Sequence, residues 1–279
     1  LQGRDAGAAQ AFWSAQLRGF DTPTRLAEAV PAPDAGSGYG LLQHECDAAQ
    51  TARLAAFARA QKVTVNTLVQ AAWLLLLQRY TGQRRVAFGA TVAGRPAELP
   101  GSQQMLGLFI NTLPVIAAPR PEQAVGDWLR ELQGFNLAAR EHEHTPLSDI
   151  QRWGGQPGQR LFDSILVFEN FPLEDALAPA ARSGLAIETR ASTGLTEYEM
   201  DVEVSLRQTL RLGFTYMRRA FDEAQVERIR AQLLALLEAI STRPGQALGS
   251  LGLLAPRASA ELLALGQGEA PPADGLAVH

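Results

Sequence analysis

The sequence predicts a layered α/β domain of the α+β type, in which helices pack on the faces of a sheet. Three observations favour this fold class: helical and strand patterns interleave along the chain, one strand pair alternates without a break, and a long amphipathic helix follows it. In residues 199–206 and 210–216 apolar and polar side chains alternate, so the segment between them is the turn of a hairpin. Residues 222–240 carry apolar side chains at helical spacing, which predicts a helix with one buried face.

The first part of the chain alternates between helical and strand patterns. Helices are expected at residues 8–17, 47–61 and 66–80, and strands at residues 41–46, 85–92 and 106–116. Asp47, with Gln50 three residues later, has the pattern of a capping box, and Gly82 is placed to end a helix. Residues 22–40 contain three prolines and three glycines, which favours a linker or a long surface connection.

The second part continues with helices at residues 123–141 and 146–153 and strands at residues 161–168 and 185–191. The run 106–116 is nearly all apolar, as expected of a strand that is buried on both faces. From Leu248 onward only short apolar clusters occur, and Pro271 and Pro272 lie near the end. We therefore expect residues 246–279 to be a linker to another domain.

Composition and charge argue against several classes of protein. The 25 basic and 29 acidic side chains give a formal net charge of −4, a balance that argues against a general nucleic-acid binder. Cys46 is the only cysteine, which rules out an internal disulfide and a multi-cysteine metal site. The longest apolar stretch, residues 68–77, is far shorter than the roughly 20 residues of a membrane span, and no signal segment opens the sequence. We therefore expect a cytoplasmic piece of a longer chain, and Lys62 as the only lysine indicates a GC-rich genome.

Several chemical motifs are absent or incomplete. Residues 89–96 have the glycine spacing of a P-loop but lack the lysine that reaches the phosphates and the hydroxyl residue that holds magnesium. The Gly-x-Ser-x-Gly nucleophile elbow is also missing. His142 and His144 flank Glu143 like a pair of metal ligands, but no third ligand stands at a recognisable spacing. At the end of a long helix they complement the helix dipole instead.

Three other groups have a structural explanation. Cys46 lies between a strand and a helix cap, so we expect a small core residue rather than a nucleophile. His44 is expected to be an exposed or hydrogen-bonded strand residue. The acidic side chains within residues 199–203 lie on one face of a strand and are interpreted as a solvated face, with Arg211 in reach for cross-strand pairing. A catalytic carboxylate pair is the alternative for this face.

A polar pair, Asn111 and Thr112, interrupts the apolar run 106–116. A buried amide without hydrogen-bond partners costs about 1–3 kcal/mol, so these side chains need partners. One interpretation is structural, with Asn111 tying the strand to a neighbouring loop. The other is functional, with a polar group that faces a substrate channel.

At this strand the sequence resembles the condensation domains of nonribosomal peptide synthetases. Residues 106–115, Leu-Gly-Leu-Phe-Ile-Asn-Thr-Leu-Pro-Val, are similar to the family's core motif Ile/Val-Gly-x-Phe-Val-Asn-Thr. Three more segments match in the same order: residues 86–96 the upstream strand and Gly-Arg turn, residues 142–147 the family's His-Gln-Asp-x-Pro-Phe, and residues 161–170 its later Phe-Asp strand. The resemblance covers residues 40–240, and residues 251–254 resemble the start of the linker toward an adenylation domain.

The sequence also departs from the family. Ile116, His144 and Leu147 replace the Arg, Asp and Phe of the family motifs. The family's His-His-x-x-x-Asp-Gly is missing, because the histidines at positions 44, 142, 144 and 279 include no adjacent pair. In the family that motif belongs to the N-terminal lobe, and residues 1–20 resemble the end of that lobe and its connecting helix. The resemblance implies that residues 21–245 are the C-terminal lobe, with no catalytic residue of its own.

The implied fold is one lobe of a chloramphenicol-acetyltransferase-like V, whose two lobes enclose a channel that is open to a carrier protein at each end. In such a domain an amine attacks a thioester to form an amide. Both reactants arrive on phosphopantetheine arms, which are substrates rather than bound cofactors. The implied partners are peptidyl or acyl carrier proteins, the N-terminal lobe and an adjacent adenylation domain of bacterial secondary metabolism, with no metal, membrane or nucleic acid. The lobe is expected to line the channel with Arg95, Gly107, Phe109, Asn111, Thr112 and Ser164.

Two alternatives stay open at this point. One is a degenerate condensation-like module that docks a carrier protein or a tailoring enzyme without catalysis. The other is an acyltransferase of related fold that uses coenzyme A, which would need its own catalytic histidine in a loop at a strand end. Neither His44 nor His142 fits that position. An upstream lobe with an intact His-His motif would favour the condensation enzyme, and we expect this chain alone to form no peptide bonds.

Overall fold

Six strands form one mixed sheet in the part of the chain that a computed structural model describes, residues 6–30, 36–93, 110–155, 157–169 and 196–253. In spatial order they are β1 (Tyr39–Glu45), β6 (Leu210–Met217), β5 (Met200–Leu206), β4 (Ser164–Glu169), β2 (Val86–Ala93) and β3 (Ile110–Ala117). Strand β4 pairs in parallel with β2 and β5, and the other neighbours are antiparallel. The α/β prediction is confirmed, and the predicted hairpin is the β5–β6 pair.

Seven helices occur in the same described residues: α1 (Ala6–Leu17), α2 (Leu26–Ala29), α3 (Ala48–Ala60), α4 (Val65–Thr81), α5 (Val125–Arg140), α6 (Leu147–Trp153) and α7 (Glu223–Thr242). Capping boxes begin α3 and α7, where the Asp47 and Asp222 carboxylates accept from backbone N–H groups three residues later. Helix α4 ends at Gly82, whose left-handed backbone (φ 67°) suits a residue without Cβ. No helix in this part of the chain combines the length and apolar character that crossing a bilayer requires.

The larger core lies between one side of the sheet and helices α3, α4, α5 and α7. Every residue of α4 from Thr67 to Leu77 is buried, because α4 contacts α5, α7 and strand β2. Val202 and Phe214 of the hairpin are fully buried on this side. The Tyr216 ring lies against Gly40, where a Cβ would overlap the ring, so any larger residue at this position would displace the Tyr216 side chain.

A second cluster covers only part of the opposite side of the sheet. Helices α1 and α6 pack there against β2, β3 and β4, with Trp13, Ile150 and Ile165 buried among them. Among the described residues, this cluster has no member in β5, β6 or β1. We call the outward side of these three strands the outer face. Tyr39 and Leu41 at its β1 edge are 42% and 47% exposed, whereas Asp201 and Thr215 in its centre are buried.

The described part of residues 22–40 is not the surface linker that its prolines and glycines predict. Thr24 and Leu26 are fully buried, and Thr24 forms an isolated parallel bridge with Phe162. The Thr24 hydroxyl accepts a hydrogen bond from Ala87 N at 2.9 Å, and α2 follows at once. A core segment this short has no detectable apolar period, so the flanking prolines and glycines dominate the pattern.

The first residues of the tail pack onto the lobe. Gln246 O accepts a hydrogen bond from Val125 N at 2.9 Å, and Gly249 N donates to Pro121 O at 2.8 Å. Leu251 is buried against the larger core. The packed body thus continues beyond residue 246, whereas the remaining tail, the expected strand 185–191 and the loop 94–105 lie outside the described residues.

Candidate functional site

Three of the six residues expected to line a channel are described by the structure: Asn111, Thr112 and Ser164. The other three, Arg95, Gly107 and Phe109, lie outside the described residues. The three that are described occupy different surroundings: a turn beside the sheet edge, a cavity and the larger core. Sequence proximity alone therefore does not make them one site.

Asn111 fastens the edge of the sheet to the turn between α5 and α6. Its Nδ2 donates to the backbone oxygens of Glu143 and Thr145, both at 2.8 Å. Its Oδ1 accepts from Thr112 N at 2.9 Å. Three of the four hydrogen bonds that an amide can make are filled, so the geometry supports the structural interpretation of this side chain.

Thr112 points to the other side of the strand from Asn111 and lines a cavity of about 590 Å³. The cavity lies where the outer face meets the second cluster, and its volume is in the range of small-molecule sites. Its walls come from four strands and from the segment that leads into β5: Thr91, Ile110, Thr112, Ile165, Val167, Glu169, Thr196, Glu197, Tyr198, Asp201 and Glu203.

Asp201 is the most deeply buried acid of this cavity, with 3% of its surface exposed. Its register partners are Ile165 on β4 and Thr215 on β6. Thr196 Oγ1 donates to Asp201 Oδ1 at 2.7 Å. Burial raises the pKa of Asp201 from its ordinary 3.8 to about 6, because loss of hydration outweighs the hydrogen bonds from Thr196.

The other acids give the cavity a negative character. Burial raises the pKa of Glu203, and the neighbouring carboxylates of Glu169 and Asp201 add to the rise. At the rim, Arg160 Nη2 lies 3.0 Å from Glu197 Oε2. No lysine, arginine or histidine occurs among the described lining residues, so four carboxyl groups face an otherwise apolar and hydroxyl wall.

Ser164 faces the opposite side of β4 from this cavity. It stands in register with Met200 of the larger core and is fully buried, and its Oγ has no hydrogen-bond partner within the described part of the chain. Asp163, the preceding residue, accepts a hydrogen bond from Ala27 N at 2.8 Å and so holds α2 against the sheet. Burial raises the pKa of Asp163 despite this bond.

His44, His142 and Cys46 have structural surroundings. His44 Nδ1 lies 3.0 Å from Arg230 Nη1, and the His142 ring packs on Phe12 with the ring centroids 4.7 Å apart. Cys46 is a buried core residue, as expected, and burial raises the pKa of its thiol. Within the described ranges no group of three or more His, Cys, Asp or Glu residues can hold a metal ion.

The acidic strand face differs from the solvated face that the sequence predicts. Asp201 is buried and bonded to Thr196, and Arg211 pairs with Glu45 of β1 at 3.1 Å instead of with β5. The segment 196–198 also supplies Tyr198, whose ring stacks on Phe162 with centroids 5.6 Å apart. Alternation predicts which side of a sheet a residue faces, but it gives no signal for what covers that side.

A model of the condensation-domain family matches residues 1–263 of the chain. Among curated proteins, one of the linear gramicidin synthase polypeptides of Brevibacillus parabrevis is 38% identical over 94% of this chain and 3% of that protein. Chondramide synthase cmdD of Chondromyces crocatus is 38% identical over 88% of this chain and 6% of that protein. The chain therefore spans only a small part of the curated relatives that it matches.

Solved structures share the fold at lower sequence identity. A four-domain nonribosomal peptide synthetase bound to AMP and glycine has a TM-score of 0.76 and 16% identity, over 92% of this chain and 21% of that chain. The X-domain from teicoplanin biosynthesis has a TM-score of 0.71 and 21% identity, over 91% of this chain and 58% of that chain. With the family match over residues 1–263, the resemblance seen in the sequence is confirmed: the chain belongs to the condensation-domain family of nonribosomal peptide synthetases.

Proposed function

We propose that this chain is the C-terminal lobe of a condensation domain and forms one wall of the channel in which carrier-bound substrates are joined by an amide bond. The observation that carries the proposal is the cavity beside Thr112, on a side of the sheet that the described helices cover only in part, in a chain of this family. The first condensation domain of the calcium-dependent antibiotic synthetase matches over 54% of its chain, which supports a second lobe of similar size.

Amide formation needs alignment of the amine with the thioester, stabilisation of the oxyanion and removal of the amine proton. The apolar residues Ile110, Ile165 and Val167 suit the first task, because they give a wall along which an acyl or aminoacyl group can lie. The Thr112 hydroxyl and the Asp201 carboxyl are polar anchors within that wall. They do not form a nucleophile–base pair.

The remaining chemistry is assigned to partners of the lobe. The N-terminal lobe would supply the His-His-x-x-x-Asp-Gly motif that this sequence lacks. Peptidyl or acyl carrier proteins would bring both substrates on phosphopantetheine arms, and an adenylation domain would follow the tail. A cytoplasmic setting fits these partners, and no bound cofactor or metal is required of this lobe.

A second candidate function is a non-catalytic docking module. It is favoured by the likeness to the X-domain from teicoplanin biosynthesis, which has also been solved as a complex with OxyB, with a TM-score of 0.71 and 22% identity. A module of this kind would hold a protein partner without amide formation. The amide-forming domain needs an unobstructed cavity for turnover, whereas the docking module does not need one.

The test uses one polypeptide in which an upstream lobe with the intact motif precedes this chain. Amide product is measured by mass spectrometry from two carrier proteins loaded with aminoacyl thioesters. Val167→Trp fills the cavity and is expected to slow turnover by about tenfold or more. Leu137→Trp puts the same ring on α5, at a residue 54% exposed, and is expected to leave the rate unchanged.

Equal rates in the two variants would contradict the assignment of the cavity to the channel. Absence of product from the unsubstituted polypeptide would favour the docking module instead. Comparing the rates of Val167→Trp and Leu137→Trp thus distinguishes a blocked channel from a general effect of adding a large ring.

A further inference from the structure

One wall of the cavity beside Thr112 is a short segment that belongs to no strand or helix. Residues 196–198, which we call the wall segment, all line the cavity and lead into β5, which begins at Met200. Other walls include Thr91 of β2 and Thr112 of β3, which are register partners within the sheet. The sheet fixes these walls, so the shape of the cavity depends on the contacts that hold the wall segment.

Arg160 fastens the wall segment through two hydrogen bonds to Glu197. Its Nη1 donates to the backbone oxygen of Glu197 at 3.0 Å, and its Nη2 donates to Glu197 Oε2 at 3.0 Å. The guanidinium also lies 5.8 Å from the centre of the Tyr198 ring. A planar fork of donors suits two oxygens at once, which a single ammonium group does not match. Arg160 is not a lining residue, so it acts on the cavity through the wall segment.

The backbone that carries Arg160 is held firmly by the core. Leu161 and Phe162, the next two residues, are buried in the second cluster. Arg25 Nη2 donates to Arg160 O at 2.9 Å, and Thr24 N donates to Leu161 O at 2.9 Å. The guanidinium therefore extends from a fixed base, and it transmits the position of this base to the wall segment.

Tyr198 is the largest residue of the wall segment. Its ring stacks on Phe162 with the centroids 5.6 Å apart, and its N–H donates to Thr196 Oγ1 at 3.1 Å. Thr196 in turn donates to Asp201 Oδ1 at 2.7 Å, which ties the start of the wall segment to β5. With Val167, another lining residue, Tyr198 offers a substrate side chain apolar contacts at defined positions.

We propose that Arg160 is a positioning residue that determines how strongly the cavity selects a substrate side chain. One methylene group more or less in a fitted apolar pocket changes an enzymatic rate by about 10–200-fold, so fixed walls give selectivity. Arg160 keeps the wall segment fixed, and a side chain of the size of leucine then gains contact with it. Glycine has no side chain to gain such contact. This inference rests on the proposed function, because a substrate side chain occupies the cavity only if the cavity belongs to the channel.

The turnover test uses the polypeptide in which an upstream lobe with the intact motif precedes this chain. One carrier protein is loaded with leucine or glycine while the other carries alanine, and the two carriers then exchange loads. Arg160→Ala is expected to raise the KM of the leucyl substrate about fivefold in at least one arrangement. The KM of the glycyl substrate and both kcat values are expected to stay unchanged, because the lost contact is made equally in the bound and the reacting substrate.

Two further variants show whether the effect belongs to the contacts of Arg160. Arg160→Lys keeps a cation beside Glu197 but cannot bond both oxygens, so we expect it to recover part of the lost selectivity. Arg152→Ala removes the same group from α6, where it pairs with Asp149 at 2.8 Å, and is expected to change neither KM.

A second measurement follows the wall segment without turnover. Hydrogen exchange of single N–H groups is measured by NMR in the full chain. We expect the Tyr198 amide to exchange about tenfold faster in Arg160→Ala and at the original rate in Arg152→Ala. Val202, in the centre of the sheet, is expected to keep its slow exchange in both variants.

The same ratio of leucyl to glycyl KM in Arg160→Ala and in the unsubstituted protein would overturn the proposal. Equal rises for both substrates, or faster exchange at Val202, would also overturn it, because Arg160 would then support the fold as a whole. Absence of product from the unsubstituted polypeptide would contradict the proposed function instead. Exchange at Tyr198 would in that case still show whether Arg160 holds the wall segment, so the two failures are distinguishable.

Discussion

At Asp201 the fold holds a carboxyl group in surroundings that favour its protonated form. The side chain is 3% exposed, and its pKa rises from 3.8 to about 6, mainly through burial. The folded state therefore keeps this proton at pH values at which the unfolded chain has lost it. It follows that this group lowers the free energy of unfolding as the pH rises from about 4 to about 6.

Asp201→Asn removes this titration and keeps a carbonyl oxygen that can accept from Thr196. Between pH 4 and pH 7 we expect the unsubstituted chain to lose about 1–3 kcal/mol of unfolding free energy relative to the variant. Urea unfolding of both proteins at the two pH values measures this difference. The same pH dependence in both proteins would show that the pKa is not raised.

Asn111 presents an N–H₂ group to two carbonyl oxygens of the turn after α5. Asn111→Ala loses these bonds and should lower the free energy of unfolding by about 1–2 kcal/mol. Asn111→Asp also sets carboxylate oxygens against the same carbonyls, so we expect a loss of about 3 kcal/mol or more. Thermal unfolding at neutral pH compares the two, and equal losses would refute the described contact.

The identity of neighbouring residues in a motif does not reveal which of them reaches a site. Asn111 and Thr112 stand side by side in the sequence, but strand alternation sends only Thr112 into the cavity. Asp201 enters the same cavity because β5 pairs in parallel with β4, and no local pattern predicts that pairing. The sequence therefore predicted Thr112 as a lining residue but interpreted Asp201 as part of a solvated face.

At the scale of elements, the segment after α7 joins the segment before α5 by close backbone contact. A Cβ at Gly249 would lie 3.1 Å from the Cβ and from the O of Pro121, whereas at Gly245 it would meet nothing within 4 Å. We expect Gly249→Ala to lower the free energy of unfolding by about 1 kcal/mol and Gly245→Ala to change it by less than about 0.5 kcal/mol. Chemical unfolding of both variants checks this pair, and the same loss at the two positions would argue against the junction.

Long amphipathic elements were predictable because their period is visible in the sequence. The helix expected at residues 222–240 is observed as Glu223–Thr242, and the strand expected at 210–216 as Leu210–Met217. Helix α2 was missed, because four residues show no period and its position depends on Asp163, which bonds to Ala27 across 136 residues of sequence. Contacts between distant segments decide such cases.

At the scale of the whole molecule, the uneven helical cover of the described sheet is the central feature. Among the described residues, helices pack over all of one side, whereas α1 and α6 cover only β2, β3 and β4 on the other. The outer face carries the exposed Tyr39 and Leu41 at its edge and borders the cavity, whose described lining includes four carboxyl groups. In the proposed domain this face looks toward the N-terminal lobe, and the space between the lobes holds the substrates.

The most direct measurement compares amide formation by this chain alone with that of the same chain joined to an upstream lobe with an intact His-His-x-x-x-Asp-Gly motif. Both proteins receive the same pair of loaded carrier proteins, and the product is detected by mass spectrometry. We expect product from the joined protein and none above background from the chain alone, because the chain lacks the motif. Turnover by the chain alone, or none by the joined protein, would contradict its role as one lobe of an amide-forming domain.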